Sequence, residues 1–157
     1  MTPLFIVSRF FDLSAFEIHA LLKLRSDVFV TEQEWAHTDI EDVDIDGSSR
    51  HLLVYDLDHR PMPFLGTARV IDAEVEGRGV AKLGRICLSS AGRGTGLSAS
   101  LLDAAVDMAR ETFPGRDIVV DARDPLVEFY RGHGFAPYGE AFTEGGMTRQ
   151  PMVLAAT

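Results

Sequence analysis

The residues best placed to do chemistry in this chain form one short run, Arg93-Gly94-Thr95-Gly96-Leu97-Ser98. Glycines let a backbone come close to a ligand and adopt conformations that a Cβ forbids. A helix that begins within such a run adds unpaired N–H groups and the positive end of its dipole. That combination suits a phosphate, and a diphosphate above all. A plain glycine-containing turn would use the same residue types, so the flanking segments decide between the two. The run lacks the lysine of a GxxxxGK[ST] loop and the complete GxGxxG of a dinucleotide fold, so neither a nucleoside triphosphate nor NAD is expected.

The flanks supply a context. Ala81 to Ser89 reads as a strand with Leu83, Ile86 and Leu88 as apolar members. From Gly96 to Phe113, Leu97, Leu101, Ala105 and Met108 recur at helical spacing, with Asp103, Asp107, Arg110 and Glu111 on other faces. Pro114-Gly115 stops that helix, and Asp117 to Ala122 reads as a second strand. Strand, glycine turn, helix and strand predict a parallel pair with a right-handed crossover.

In this setting Arg93, Gly96 and Ser98 resemble the Q/R-x-x-G-x-G/A pyrophosphate motif of the GNAT N-acetyltransferases, with Ser98 where glycine or alanine is usual. Phe129-Tyr130-Arg131-Gly132-His133-Gly134-Phe135 resembles the family's second signature, an aromatic-Tyr-x-x-x-Gly-Phe segment. The likeness runs through most of the chain and is greatest to the ElaA-like branch. It takes in Leu24-Arg25, Val28-Phe29-Val30, Glu32-Gln33, Arg50-His51-Leu52, Glu144-x-Gly146 and Met152. Two departures stand out. Met147-Thr148-Arg149 occupies the place of a frequent Ile-Pro-His, and Arg123 that of a frequent Asn.

The resemblance implies attack by an amine on the thioester of acetyl-CoA. It assigns the diphosphate to Arg93, Gly94, Thr95, Gly96, Leu97 and Ser98, and alignment of the pantetheine to the backbone of Ile86, Cys87 and Leu88. Arg123 falls among the expected cofactor contacts, and Tyr130 is the expected acid for the departing thiolate. A phenol titrating near ~10 stays protonated at neutral pH, and an alkylammonium acceptor must lose a proton before it attacks. Glu32, Glu34, His37 and His51 are candidates for that base, with Glu32 first because it sits in the segment that resembles the helix beside the acceptor groove. Packing or anchoring roles fit the same residues. His19, His59 and His133 have no metal-ligand spacing and read as structural, and no metal is expected.

The remaining elements frame these residues. Leu4 to Phe10 reads as an edge strand, and Ser14-Ala15-Phe16-Glu17 as a capping box opening a helix through Leu21, Leu22 and Leu24. His51 to Leu57 and Phe64 to Ile71 predict an antiparallel hairpin turned by Asp58-His59-Arg60-Pro61. Gly77-Arg78-Gly79 predicts the next turn, and the chain from Pro137 onward a closing pair of strands. The expected fold is α/β (α+β): a GNAT-like mixed, mostly antiparallel central sheet with helices on both faces, in one domain over residues 1–157.

Composition narrows the partners. With 15 Lys plus Arg against 24 Asp plus Glu, the formal net charge is −9, which argues against a nucleic-acid surface. No apolar run is long enough to span a bilayer and no secretion signal is recognisable, so a cytoplasmic protein without a membrane partner is expected. Cys87 is the only cysteine; it excludes an internal disulfide and reads as a packed strand residue. The acidic stretch Asp39 to Asp46 is open to three readings: a solvated loop, a calcium loop without its later glutamate, or a negative rim that attracts an amine. The expected partners are acetyl-CoA and a small amine acceptor, with a homodimer left open. Two alternatives also fit. Arg25, Phe29, Trp35, Asp44 or Asp46, and Arg69 resemble the N-terminal pattern of acyl-homoserine-lactone synthases, and a non-catalytic acetyl-CoA sensor would keep the same donor motifs.

Overall fold

A computed structural model describes residues 1–157. Strands β1 (Pro3–Ser8), β2 (Arg50–Asp56), β3 (Phe64–Val75), β4 (Arg78–Leu88), β5 (Ile118–Arg123), β6 (Ala136–Pro137), β7 (Phe142–Glu144) and β8 (Met147–Leu154) form one sheet. Its order is β1-β2-β3-β4-β5-β8-β6, with β7 paired to β8. Only β4 and β5 run parallel; every other pairing is antiparallel. The helices are α1 (Ala15–Arg25), α2 (Leu97–Thr112) and α3 (Val127–Gly132).

Strand alternation explains the two-faced core. On β2, Leu52 and Val54 belong to the main apolar cluster with Leu101, Ala105 and Met108 of α2, whereas Leu53 between them packs with Leu21 of α1. α1 starts at the expected capping box: the Glu17 N–H donates to Ser14 Oγ at 3.1 Å and the Ser14 N–H to Glu17 Oε1 at 2.8 Å. Beyond Arg25 the helix continues as a π-helical stretch, Ser26–Glu32, which buries the consecutive residues Val28 and Phe29.

Boundaries differ from expectation in three places, one of them the C-terminal closing pair, which is three strands, β6, β7 and β8. The β3–β4 hairpin is longer than the predicted strands, because its turn lies at Glu76-Gly77, both in the left-handed region (φ 50° and 77°), rather than at Gly77-Arg78-Gly79. β1 stops at Ser8, since Phe10–Asp12 forms a 3₁₀ turn.

Two irregularities in β4 prepare the site. Thr67 pairs with Cys87 but Arg69 pairs with Gly84, so β4 carries one extra residue, Arg85 and Ile86 together facing Ala68, and Arg85 sits at φ 50°. Along the other edge only Ala81 and Lys82 pair with β5, at Ile118 and Val119. The sheet therefore opens between β4 and β5, next to the bulge. No helix is long and apolar enough to cross a membrane.

Candidate active site

The expected phosphate loop connects β4 to α2. Gly94 and Gly96 have φ of 71° and 80°, and a Cβ at either would meet nothing within 4 Å, so backbone conformation rather than space requires glycine. Gly96 is the N-cap of α2 and supplies no side-chain cap, which leaves the first-turn N–H groups for a ligand. The Thr95 hydroxyl donates to the Gly92 carbonyl at 2.6 Å, and buried Leu97 fixes the start of the helix in the core. Arg93 donates from Nε to the Leu88 carbonyl at 3.2 Å and from Nη2 to Glu32 at 2.7 Å.

Three cavities run on from this loop. A groove of about 280 Å³ is walled mainly by Ile86, Cys87, Leu88, Leu126, Phe129 and Tyr130, with Arg93 and Ser98 at its edge. It shares Ile86, Leu126 and Tyr130 with a middle cavity of about 80 Å³ inside the open sheet, where Gln33, Arg85, Asp121, Arg123 and Arg149 also face. The middle cavity shares Arg85, Asp121 and Arg149 with an outer pocket of about 200 Å³, which adds Trp35, His37, Glu41, Arg69, Lys82 and Glu144. The motif residues thus lie along one path through the split. Tyr130 stands between its first two chambers.

Tyr130 packs edge-to-face on Phe135 at 5.6 Å, and burial pushes its phenol up to about 12 against the opposing charge of Arg149. Cys87 is buried, and its thiol is pushed up to about 12 by the same cause, so it is a poor nucleophile. Its position along the groove is compatible with the backbone role expected of it.

Around the outer pocket the structure corrects the sequence. The stretch Asp39 to Asp46 is neither a solvated loop nor a negative rim, because its central carboxylates face inward. Arg25, fully buried, donates to Asp39 at 3.2 Å and to both oxygens of Asp44 at 2.9 and 3.1 Å. Arg69 donates to Asp44 at 2.9 Å and pairs with Glu41 at 3.0 Å, and Arg85 reaches Asp39 and Glu41 at 2.9 and 3.0 Å. Burial raises the Asp44 carboxyl, but the hydrogen bonds and charge of Arg25, with the Glu41 N–H and Arg69, outweigh it and hold the group far below the usual carboxylate range. Trp35 stacks with His37 at 4.8 Å and covers Gly145, where a Cβ would collide with the indole. Phe29, Trp35, Arg25, Asp44 and Arg69 do come together, as a scaffold beneath the outer pocket.

Two base candidates are displaced. Glu32 stays beside the glycine loop in its ion pair with Arg93, and the neighbouring Gln33 faces the middle cavity instead. His51 is fully buried beneath Phe10, with Nε2 on the Asp44 carbonyl at 2.9 Å, and burial holds its pKa down. Of the remaining two, His37 borders the outer pocket and Glu34 is exposed. Arg123 faces the middle cavity rather than the donor groove. Asp121, which sequence reasoning missed, is the carboxylate common to the middle cavity and outer pocket; it pairs with Lys82 at 3.0 Å. Nothing in its strand pattern distinguishes it from any other polar residue on β5.

A mixed sheet opened between parallel neighbours, with a glycine loop feeding a helix at its mouth, defines an acyltransferase of the GNAT type, and residues 27–156 match the family model described as an acetyltransferase (GNAT) domain. The chain belongs to that family. It is 30% identical to protein ElaA of Escherichia coli over 136 residues, 87% of this chain and 86% of that one. The crystal structure of Escherichia coli ElaA superposes with a TM-score of 0.82 at 26% identity, over 96% of this chain and 99% of that one. An acyl-CoA N-acyltransferase from Pseudomonas aeruginosa gives a TM-score of 0.86 at 27% identity, over 98% and 100%. At 17% identity and a TM-score of 0.68, covering 95% and 94%, a spermidine N-acetyltransferase from Vibrio cholerae solved with CoA and spermine shares the fold.

Proposed function

We propose that this protein transfers an acetyl group from acetyl-CoA to the primary amine of a small molecule, using the whole of residues 1–157 as one domain. The observation that carries the proposal is the row of three adjoining cavities with shared walls, from the groove beside Arg93 and Ser98, past Tyr130, to the polar outer pocket. In this reading the diphosphate rests on the loop and first turn of α2. The pantetheine lies in the apolar groove along Ile86, Cys87 and Leu88, and the thioester reaches the opening of the sheet. The Pseudomonas aeruginosa relative, whose name specifies acyl-CoA, and the Vibrio cholerae structure with CoA support the choice of donor.

The amine nitrogen attacks the thioester carbon, the C–S bond breaks, and the products are an amide and free CoA thiol. Asp121 is placed to take the proton that the ammonium must lose, and Tyr130 to donate a hydrogen bond to the leaving sulfur. Backbone N–H groups at the β4 bulge would face the carbonyl oxygen as charge develops there. Release of CoA thiol from acetyl-CoA across a panel of amines tests the reading. Turnover above thioester hydrolysis is expected with at least one amine class. No amine-dependent release would favour the sensor reading, and release only from a carrier-protein thioester would favour the lactone-synthase reading.

A further inference from the structure

The arginines around the path differ in how they are paired. Arg25, Arg69 and Arg85 are each matched by carboxylates of the Asp39–Asp44 loop. Arg123 and Arg149 are not. They are register partners across the β5–β8 ladder, and both face the middle cavity beside Tyr130. The Nε atom of each is buried without a hydrogen-bond partner. Arg149 donates from Nη1 only to the Asp121 carbonyl, at 3.3 Å, and lies 4.8 Å from the Trp35 ring. No carboxylate of the chain forms an ion pair with either guanidinium. Burial lowers the Arg149 pKa and outweighs the nearby charges of Glu144 and Asp121, which raise it without pairing with it; the Arg123 charge lowers it further.

Two adjacent guanidiniums with inward-facing, unused donors are unfavourable by themselves and favourable around an anion. The planar fork of each fits a carboxylate, which takes two parallel N–H donors. Both are among the positions at which the sequence leaves the pattern it otherwise resembles.

We propose that Arg123 and Arg149 together hold a carboxylate that one of the substrates carries beside the reacting centre. This rests on the N-acyltransferase function proposed above. The carboxylate could belong to the acceptor, which would then be an amino acid, or to a dicarboxylic acyl group on CoA. The middle cavity joins the donor groove to the outer pocket, so both sources reach it.

Two arms of one kinetic experiment separate the sources. With acetyl-CoA, α-amino acids are compared with their carboxamides; with a simple alkylamine, succinyl-CoA is compared with acetyl-CoA. One arm is expected to show a ~10–100-fold preference in kcat/KM for the carboxylate, the range of a charge-assisted hydrogen-bond pair. Arg149→Met and Arg123→Met should each bring that preference toward unity, and Arg149→Lys should keep part of it. Turnover without preference in either arm would overturn the carboxylate site and leave the acyltransferase standing. Binding gives a readout that does not need turnover. Calorimetry should show N-acetylglycine binding to the CoA-saturated protein, or succinyl-CoA binding more tightly than acetyl-CoA, and either effect should weaken in Arg149→Met. Absence of both effects, or their persistence in that variant, overturns the proposal.

Discussion

Tyr130 takes its chemistry from what surrounds it. A phenol pushed up to about 12 keeps its proton at neutral pH. A thiolate whose parent thiol titrates near ~8.5 is a weaker base than this phenolate, so in the proposed reaction Tyr130 would act chiefly by hydrogen-bond donation. Tyr130→Phe should lower kcat by ~10²–10⁴-fold and change KM for acetyl-CoA far less, because the ring keeps its contact with Phe135. The wild-type rate should show no falling limb from this group as pH rises to about 10. A limb near ~10 that vanishes in Tyr130→Phe would show an unperturbed phenol and reject the environment described. The residue was legible in its motif, but its burial was not, since it depends on how Phe135 of the same motif folds back on it and on Arg149 from β8. At the Glu32-Gln33 pair the sequence pointed to Glu32, whereas Gln33, at the end of the π-helical stretch, is the one that faces the middle cavity.

At the scale of elements, the loop from Asp39 to Asp46 is held by ion pairs and in turn holds the outer pocket. Asp44 ties α1 to β3 through Arg25 and Arg69, and Asp39 ties the same loop to β4 through Arg85. Removing one partner of a buried network strands the other charges, at ~3–5 kcal/mol. Asp44→Asn should therefore lower unfolding free energy by about that amount in urea titrations at pH 7. Because the folded carboxyl titrates far below its unfolded value of ~3.9, its stabilisation is present above that value and is lost as pH falls below it. The wild-type protein should lose stability below about pH 4 more steeply than Asp44→Asn. Equal acid sensitivity would show that Asp44 is not the linked group. Composition revealed the acidic run but not its role, since its arginine partners lie 14 to 46 residues away in sequence. The capping box and the apolar stripe of α2, by contrast, are local patterns, and both form as read.

At the scale of the molecule, the departure of β5 from β4 is the feature that makes the fold a binding device. Individual strands, one hairpin and the parallel crossover pair could be read from periodicity and turn residues, but the place where a ladder stops depends on the β4 bulge, for which the sequence offers only an unremarkable Arg85-Ile86. A ligand lying across this opening touches the loop, β4 and α3 at once, so it should stabilise the fold as a unit. At 100 times its Kd, a ligand that binds only the folded state adds ~2.7 kcal/mol. For a domain of this size that corresponds to a rise in Tm of ~5–11 °C. Acetyl-CoA should produce such a shift in a thermal melt. Two replacements at Gly96 separate charge from backbone. Any side chain there takes a left-handed φ of 80°, at ~1–2 kcal/mol, so Gly96→Ala and Gly96→Asp should both melt a few degrees lower when free. Space for the Cβ is open, so Gly96→Ala should retain most of the acetyl-CoA shift. Gly96→Asp sets a negative charge at the helix N-terminus against the diphosphate and should lose it. If Gly96→Asp kept the full shift, the diphosphate would have to bind elsewhere, and the path from the loop to Tyr130 would lose its entrance.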